Sequence, residues 1–313
     1  MSKKQKNTLL EKITSSIQHL SDKKIVLACS GGVDSMVLLE LFTHLLPSKT
    51  IIVAHVNHQL RTSALRDEKI VRDYCASRDI TLEVLTIDIK KEAKKTKTTV
   101  EECARNVRMK WFEKIRKQYH ADFIMTAHHA DDQTETILYR ITKGTSITGL
   151  VGIEDATGYY IRPLIGLTKR EILQYAGEYS LSYGHDETND DKTIPRNLLR
   201  HDVVDKLRII NPEVNLALSR LSQSARELKM SFDAFFTEVV EKKSFSLDWY
   251  HALPLGFQHE LLRFLYEKAH GSTHGLSTAL IIELDRFLST RNGGKKEIKK
   301  LKLAKKQGKV YLT

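Results

Sequence analysis

The chain has 313 residues, 41% hydrophobic and 28% charged, with 5 prolines, the balance of a folded soluble protein long enough for two domains. No apolar run approaches the roughly 18 residues of a membrane-spanning helix, and the start, Met1-Ser-Lys-Lys-Gln-Lys-Asn, lacks the apolar core of a signal peptide, so a cytoplasmic location without a membrane partner is expected. The net charge of +11 points to a polyanionic partner, while the scattered Cys29, Cys75 and Cys103 form neither a C-x-x-C pair nor a disulfide framework.

Residues 8–20 carry Leu9, Leu10, Ile13, Ile17 and Leu20 at helical spacing. Strand and helix patterns then alternate. Strands are predicted at 25–29, 51–56, 82–87 and 122–127, and helices at 34–46, 63–78, 99–119 and 132–143. This alternation is that of an α/β protein with a doubly wound, Rossmann-like parallel sheet, whose ligand site lies at the C-terminal ends of its strands. A glycine-rich patch at 144–158 leads into a strand at Tyr159–Leu164. Thr168 with Glu171 three residues on reads as a capping box opening a helix to about 179. A polar loop at 182–197, a helix near 197–208 and a long helix from Asn211-Pro212 to about 240 follow. The long helix marks a boundary between domains 1–211 and 212–313. Helices at 257–269 and 276–289 and short strands at 297–303 and 308–312 make the second domain small and mostly helical. Its tail is basic: residues 291–309 hold nine basic side chains and one acid.

The chemistry-bearing residues cluster at predicted strand ends. Ser30-Gly31-Gly32-Val33-Asp34-Ser35 sits between a strand and a helix, where glycines admit a ligand and unpaired helix N–H groups face an anion. It lacks the lysine of a Walker A loop and is not a G-x-G-x-x-G dinucleotide turn. His55, Asn57, His58 and Arg61 crowd the end of the second strand. Glu101-Glu102-Cys103-Ala104-Arg105 opens a helix, and capping explains the acids better than it explains Arg105. His128-His129-Ala130-Asp131-Asp132-Gln133-Thr134-Glu135 places Asp132 and Glu135 on one helix face beside His128. Such a group can bind Mg²⁺, bind an ammonium or move protons. Without nearby cysteines, magnesium carried by a nucleotide fits better than zinc. Last, Asn189 and the run Arg196-Asn197-Leu-Leu-Arg200 suit phosphate binding.

The hexamer at 30–35 resembles the SGGxDS loop of the PP-loop ATP pyrophosphatases, which implies cleavage of ATP between its α and β phosphates. Together with HVNHQLR at 55–61, EECAR at 101–105, HHADDQTET at 128–136, RPL at 162–164 and the Asn189…RNLLR run, it is similar to the tRNA(Ile)-lysidine synthetases over about residues 20–215. The resemblance implies an ATP- and Mg²⁺-dependent ligase. It adenylates O2 of the wobble cytidine of a CAU-anticodon isoleucine tRNA, then joins free L-lysine to C2, releasing AMP and pyrophosphate. It implies phosphate binding by Ser30, Gly31, Gly32, Val33 and Ser35, and Mg²⁺ on Asp34. His55, Asn57, His58 and Arg61 join the nucleotide site. Arg105, His128, Asp132 and Glu135 take the lysine-handling and catalytic positions, the proton acceptor staying open among the last three. Asn189, Arg196, Asn197 and Arg200 meet tRNA phosphate. Ala127, Thr188 and Pro195 depart from the usual pattern without removing a charged group. Two rivals stand beside this expectation: a PP-loop tRNA 2-thiocytidine thiolase, disfavoured by the missing C-x-x-C, and a non-catalytic tRNA-binding protein. Homodimerisation stays open.

Overall fold

In the computed structural model, residues 13, 20, 22–60, 63–184, 195–273, 275–290 and 292–313 are described. The predicted helix at 8–20, Arg61 and Asn189 therefore fall wholly or largely outside the described residues. The described chain divides into two compact units, 1–222 and 223–313.

The first unit is organised on β1 (Ile25–Ala28), a short β-branched run with parallel neighbours on both sides: β2 (Ile51–Asn57) and β4 (Phe123–Met125). Beyond β2 lies β3 (Thr81–Thr86), and beyond β4 lie β6 (Tyr160–Ile161) and β5 (Ala156–Thr157), giving the order β3-β2-β1-β4-β6-β5. The sheet is parallel apart from β5, which pairs antiparallel with β6 at the edge. Alternation along the strands feeds two cores. Ile25 and Leu27 of β1 and Val53 of β2 point to one face, packed with Val37, Leu38 and Leu41 of α1 (Val33–Leu45). Val26, Ile52 and Ala54 point to the other, packed with Phe112 and Ile115 of the long helix Val100–Gln118. Both faces are covered, as in a doubly wound sheet.

Between β2 and β3 runs α2 (Ala64–Ser77). After β3 comes α3 (Ile89–Thr96), a helix absent from the sequence-based expectation. Its sequence IKKEAKKT buries only Ile89 and Ala93, too few apolar positions for a visible period. Then come α4, the helix Val100–Gln118 already described, and α5 (Ala130–Thr142). α6 (Lys169–Glu178) has the predicted capping box: Thr168 Oγ1 accepts from Glu171 N at 3.3 Å, and Glu171 Oε2 accepts from Thr168 N at 2.8 Å. The segment from Pro195 is α7 (Pro195–Leu198), a π-helical stretch (Leu199–Val204) and α8 (Asp205–Ile210). The unit division falls within α9 (Val214–Glu241). Its first turns are tied into the first unit through Asn215, which accepts from Thr134 Oγ1 at 2.9 Å, and Ser222, which accepts from Gln133 Nε2 at 2.7 Å.

The second unit is mostly helical: the remainder of α9, α10 (Leu247–Ala252), α11 (Leu255–His270) and α12 (Thr278–Ser289). It also holds an antiparallel sheet, ordered β7-β10-β9-β8, from β7 (Ser244–Ser246), β8 (Gly294–Ile298), β9 (Leu301–Lys306) and β10 (Lys309–Leu312). The single strand predicted at 297–303 is in fact two strands around a turn, with Lys299 at φ 54°. Ile298 and Leu301 are both buried but three residues apart, a spacing that one extended strand cannot place on one face.

Candidate active site

The strand order places β1 and β4 side by side, and the chain leaves them toward opposite halves of the sheet. Ser30 and His128 follow the C-terminal ends of β1 and β4, and His55 lies in the last residues of β2, where a doubly wound sheet opens its crevice. A cavity of about 400 Å³ lies there, lined by all three.

The turn after β1 is held by its hydroxyls. Ser35 Oγ accepts from Ser30 N at 3.1 Å, donates to Gly32 O at 2.9 Å and lies 3.2 Å from Ser30 Oγ. Gly31 adopts φ 86°, and a Cβ there would come within 2.8 Å of the Asp67 carbonyl oxygen, so only glycine closes this turn without strain. Its carbonyl accepts from Gly184 N at 2.8 Å. Gly32 is the N-cap of α1, Val33 is buried at its first position, and no side chain caps the helix. Its first amides are therefore free for an anion.

β2 delivers His55, buried to 2% exposure, whose Nδ1 lies 2.8 Å from the Cys29 carbonyl oxygen. A carbonyl only accepts, so Nδ1 carries the proton and Nε2 is a bare acceptor, buried and without a partner among the described residues. Burial lowers the His55 pKa and keeps the ring neutral. Asn57 donates to Glu68 Oε2 at 2.8 Å. Burial and the nearby charge of Arg108 push His58 down to about 4.

α4 brings Arg105 to the cavity wall and adds Arg108 one turn later. Arg108 keeps contact with solvent, yet desolvation, Arg105 and Arg196 together lower its pKa. Arg162 is shifted down by burial, with Arg105 acting against it too. Among the described residues, no carboxylate pairs with Arg105, Arg108 or Arg196. This is a rim of like charges. It surrounds His128, whose Nδ1 lies 2.8 Å from Thr126 Oγ1 and whose pKa falls to about 4. Burial is the largest cause; Asp132 opposes it, and Arg162, Arg196 and Arg108 reinforce it.

Beside the cavity lies an ionic network. His129, 3% exposed, has Asp34, Asp131 and Asp132 oxygens 3.5–3.7 Å from its ring nitrogens. The Asp132 carboxylate also accepts from His129 N at 3.0 Å, capping α5. Asp131 accepts from Lys169 N at 2.8 Å and pairs with Arg208. Burial works against its charge, but the Lys169 amide and His129 hold its pKa below the ordinary carboxylate value. Arg200, carried on the π-helical stretch, donates from Nε to Glu135 Oε1 at 2.6 Å and has Asp132 Oδ1 at 3.6 Å. Glu135 is 3% exposed, and burial raises its pKa despite Arg200. Thus Arg200 meets carboxylates here, while Arg196 joins the unpaired rim and Asn197 is buried. Asp34 touches both regions: it lines the cavity and accepts from Lys169 Nζ at 2.5 Å.

Sequence reasoning singled out His128, Asp132, Glu135 and Arg105, and the structure gathers them with Asp34 at one sheet edge. It passed over Lys169, His129, Arg108 and Arg208. Arg108 was findable, being three residues from Arg105 on a predicted helix. Lys169 and Arg208 reach the site only through tertiary packing. Among the described residues, no group of three or more His, Cys, Asp or Glu side chains is arranged to hold a metal. Asp34 lines the cavity beside the anion turn and would offer a carboxylate oxygen to a magnesium carried in by phosphates.

The sequence model of the ATP-binding PP-loop domain matches residues 4–207. Among curated relatives, the bifunctional protein TilS/HprT of Listeria innocua is 39% identical over 213 residues, covering 66% of this chain and 33% of that protein. The tRNA(Ile)-lysidine synthase of Bacillus licheniformis is 32% identical over 262 residues, covering 78% of this chain and 55% of that one. The chain thus spans about a third of the former relative and about half of the latter. The U34-tRNA thiolase NcsA from Methanococcus maripaludis, solved with its 4Fe-4S cluster, superposes with a TM-score of 0.59 at 17% identity, over 71% of this chain and 79% of that one. That likeness is one of fold. With residues 4–207 matched to its domain, the chain belongs to the PP-loop family.

Proposed function

We propose that this chain ligates free lysine to C2 of the wobble cytidine of a CAU-anticodon isoleucine tRNA, consuming ATP. In the first step, cytidine O2 attacks the α-phosphorus of ATP, the O2–P bond forms and pyrophosphate leaves. In the second, the lysine ε-amine attacks C2, the C2–O2 bond breaks and AMP leaves. One amine proton is lost. Residues 1–211 do this chemistry and residues 212–313, with the basic segment 291–309, hold the tRNA.

The observation that carries the reading is the position of Asp34, between an amide-lined anion turn and a paired-carboxylate cluster. The first half suits ATP phosphates and the second suits an amine. Ser30, Gly31, Gly32, Val33 and Ser35 cradle the phosphates, and Asp34 would hold a Mg²⁺, which when bound would offset charge on the leaving pyrophosphate. His55, Asn57 and His58 wall the nucleotide pocket. Asp132 and Glu135 hold the lysine ammonium, and the Arg105–Arg108 pair takes its carboxylate. Glu135 is the proton acceptor, because burial moves its pKa toward the working range while His128 is moved away from it. Neutral His128 faces the cytidine, and Arg196 faces tRNA phosphate.

The relatives' names agree with this reading, and the cysteines disfavour a thiolase. Cys29, Cys75 and Cys103 are buried and free, and Cys103 packs in a different core cluster from the other two. The test is release of pyrophosphate from ATP that requires both tRNA and lysine, with mass spectrometry of the nucleosides. Unmodified cytidine after full incubation would sink the proposal. Binding without pyrophosphate release would favour the non-catalytic reading, and a requirement for a sulfur donor would favour the thiolase.

A further inference from the structure

The sheet of the second unit buries one face and leaves the other to solvent. Phe245, Ile298, Leu301, Leu303 and Val310 go inward, into a core with Leu261, Leu265, Ile281 and Leu284. By alternation, the opposite face carries Lys302, Ala304 and Lys306 on β9, Lys295 and Glu297 on β8, and Lys309 and Tyr311 on β10. The register fixes their layout. Tyr311 stands opposite Ala304, which stands opposite Lys295, while Lys309 stands opposite Lys306. Lys302 and Lys306 flank Ala304, so they are the diagonal neighbours of the tyrosine.

Two features of this face are not explained by folding. Tyr311 is 39% exposed, and its directly opposed partners on the two neighbouring strands are the small side chains of Ala304 and Ser244, so the ring is left partly open. Lys295, Lys306 and Lys309 have no carboxylate within ion-pair distance among the described residues; only Lys302 is answered, by Glu297 at 3.2 Å. A solvent-facing sheet with a partly open aromatic ring and lysines on its own strand and on the two strands to one side is suited to an unpaired base and the phosphates next to it.

We propose that this face binds single-stranded nucleic acid, with Tyr311 stacking on one unpaired base and Lys295, Lys306 and Lys309 meeting the flanking phosphates. The proposal deepens the tRNA-ligase reading by specifying how the second unit contacts RNA. Duplex contact uses the lysines alone, and an anionic membrane uses them without base stacking.

The test uses the full chain with Tyr311→Trp as a reporter, a short single-stranded RNA oligonucleotide, its blunt duplex, and anionic phosphatidylserine vesicles. The expected result is quenching of the new indole emission by the single strand. Tyr311→Ala should weaken that binding about tenfold or more, with Tyr311→Phe retaining it. Changing the three unpaired lysines to Gln should flatten the slope of log K against log salt by about two. Circular dichroism of each variant checks the fold. Unchanged binding in Tyr311→Ala overturns the stacking role. Equal binding of duplex, or vesicle binding with the same lysine dependence and no RNA binding, overturns the choice of partner. None of these readouts depends on ATP or lysine, so failure of the ligase activity leaves the proposal standing, and the reverse.

Discussion

Lys169 Nζ lies 2.5 Å from Asp34 Oδ1, joining the first position of α6 to the first turn of α1 across 135 residues of sequence. In this arrangement the acid expected to meet magnesium is already paired with a cation. A metal carried in by phosphates would compete with Lys169 for this carboxylate, and the displaced ammonium would be available to the phosphates. Asp34→Asn should therefore bind tRNA normally and release no pyrophosphate. Full activity would refute the metal role. Lys169→Met should lower kcat/KM for ATP by about 10–1,000-fold, as expected when one pre-placed charge is removed from a transition state. The same variant should bind Mn²⁺ more tightly in the absence of nucleotide, because Asp34 is then unpaired. Weaker Mn²⁺ binding, followed by electron paramagnetic resonance, would count against this exchange.

The loop itself depends on close approach. At Gly31, φ is 86° and a Cβ would lie 2.8 Å from the backbone oxygen of Asp67. Backbone cannot swing aside as a side chain can. Gly31→Ala is expected to cost on the order of 1–3 kcal/mol of stability and to abolish ATP binding even where the fold survives. Thermal unfolding with and without ATP separates the two effects: the variant should melt earlier, and ATP should no longer raise its melting temperature.

Most of this architecture was legible in the sequence, for a physical reason. Ile25–Ala28 and Ile51–Asn57 are uncharged, β-branched runs buried on both faces, and Thr168 with Glu171 is a local hydrogen-bond pair that needs no tertiary partner. What stayed hidden depends on contacts distant in sequence. Arg200 reads as a phosphate ligand until folding places it 2.6 Å from Glu135. His129 reads as the lesser member of a pair until three carboxylates surround it. The β8–β9 turn was misjudged because five of the eight residues Lys295–Lys302 are lysines, and charge hides the period-two alternation.

Glu135 and Arg200 should behave as one unit. Glu135 is 3% exposed, whereas the Arg200 side chain is about a third open to solvent. Removing the arginine leaves a buried carboxylate unpaired, so Arg200→Leu is expected to cost about 2–4 kcal/mol, below the fully buried limit because solvent reaches the guanidinium. Glu135→Gln leaves the arginine with Asp132 at 3.6 Å and should cost less stability but most of the activity. A double-mutant cycle in chemical denaturation gives the coupling; strictly additive losses would show that the pair is not a unit.

His58 and His128 are both pushed down to about 4 from an ordinary value of 6.5, which gives the protein a defined acid limb. Between those two values the unfolded chain binds protons that the native protein refuses, so stability rises with pH through this window and is lost as pH falls. Below about pH 4 both states are protonated and these two residues add no further slope. Each histidine contributes on the order of 1–3 kcal/mol to this loss. His58→Gln and His128→Gln should each flatten the profile between roughly pH 6.5 and 4, most strongly when combined. Bound ATP should shift the same limb to higher stability, since phosphates held at the 30–35 turn would bring negative charge into the cavity that His58 and His128 also line, and would favour protonated imidazole there. Urea unfolding at a series of pH values, with and without nucleotide, provides the measurement. An acid limb of equal steepness in the double variant would mean that other groups carry it and that these imidazoles are not held neutral by the fold.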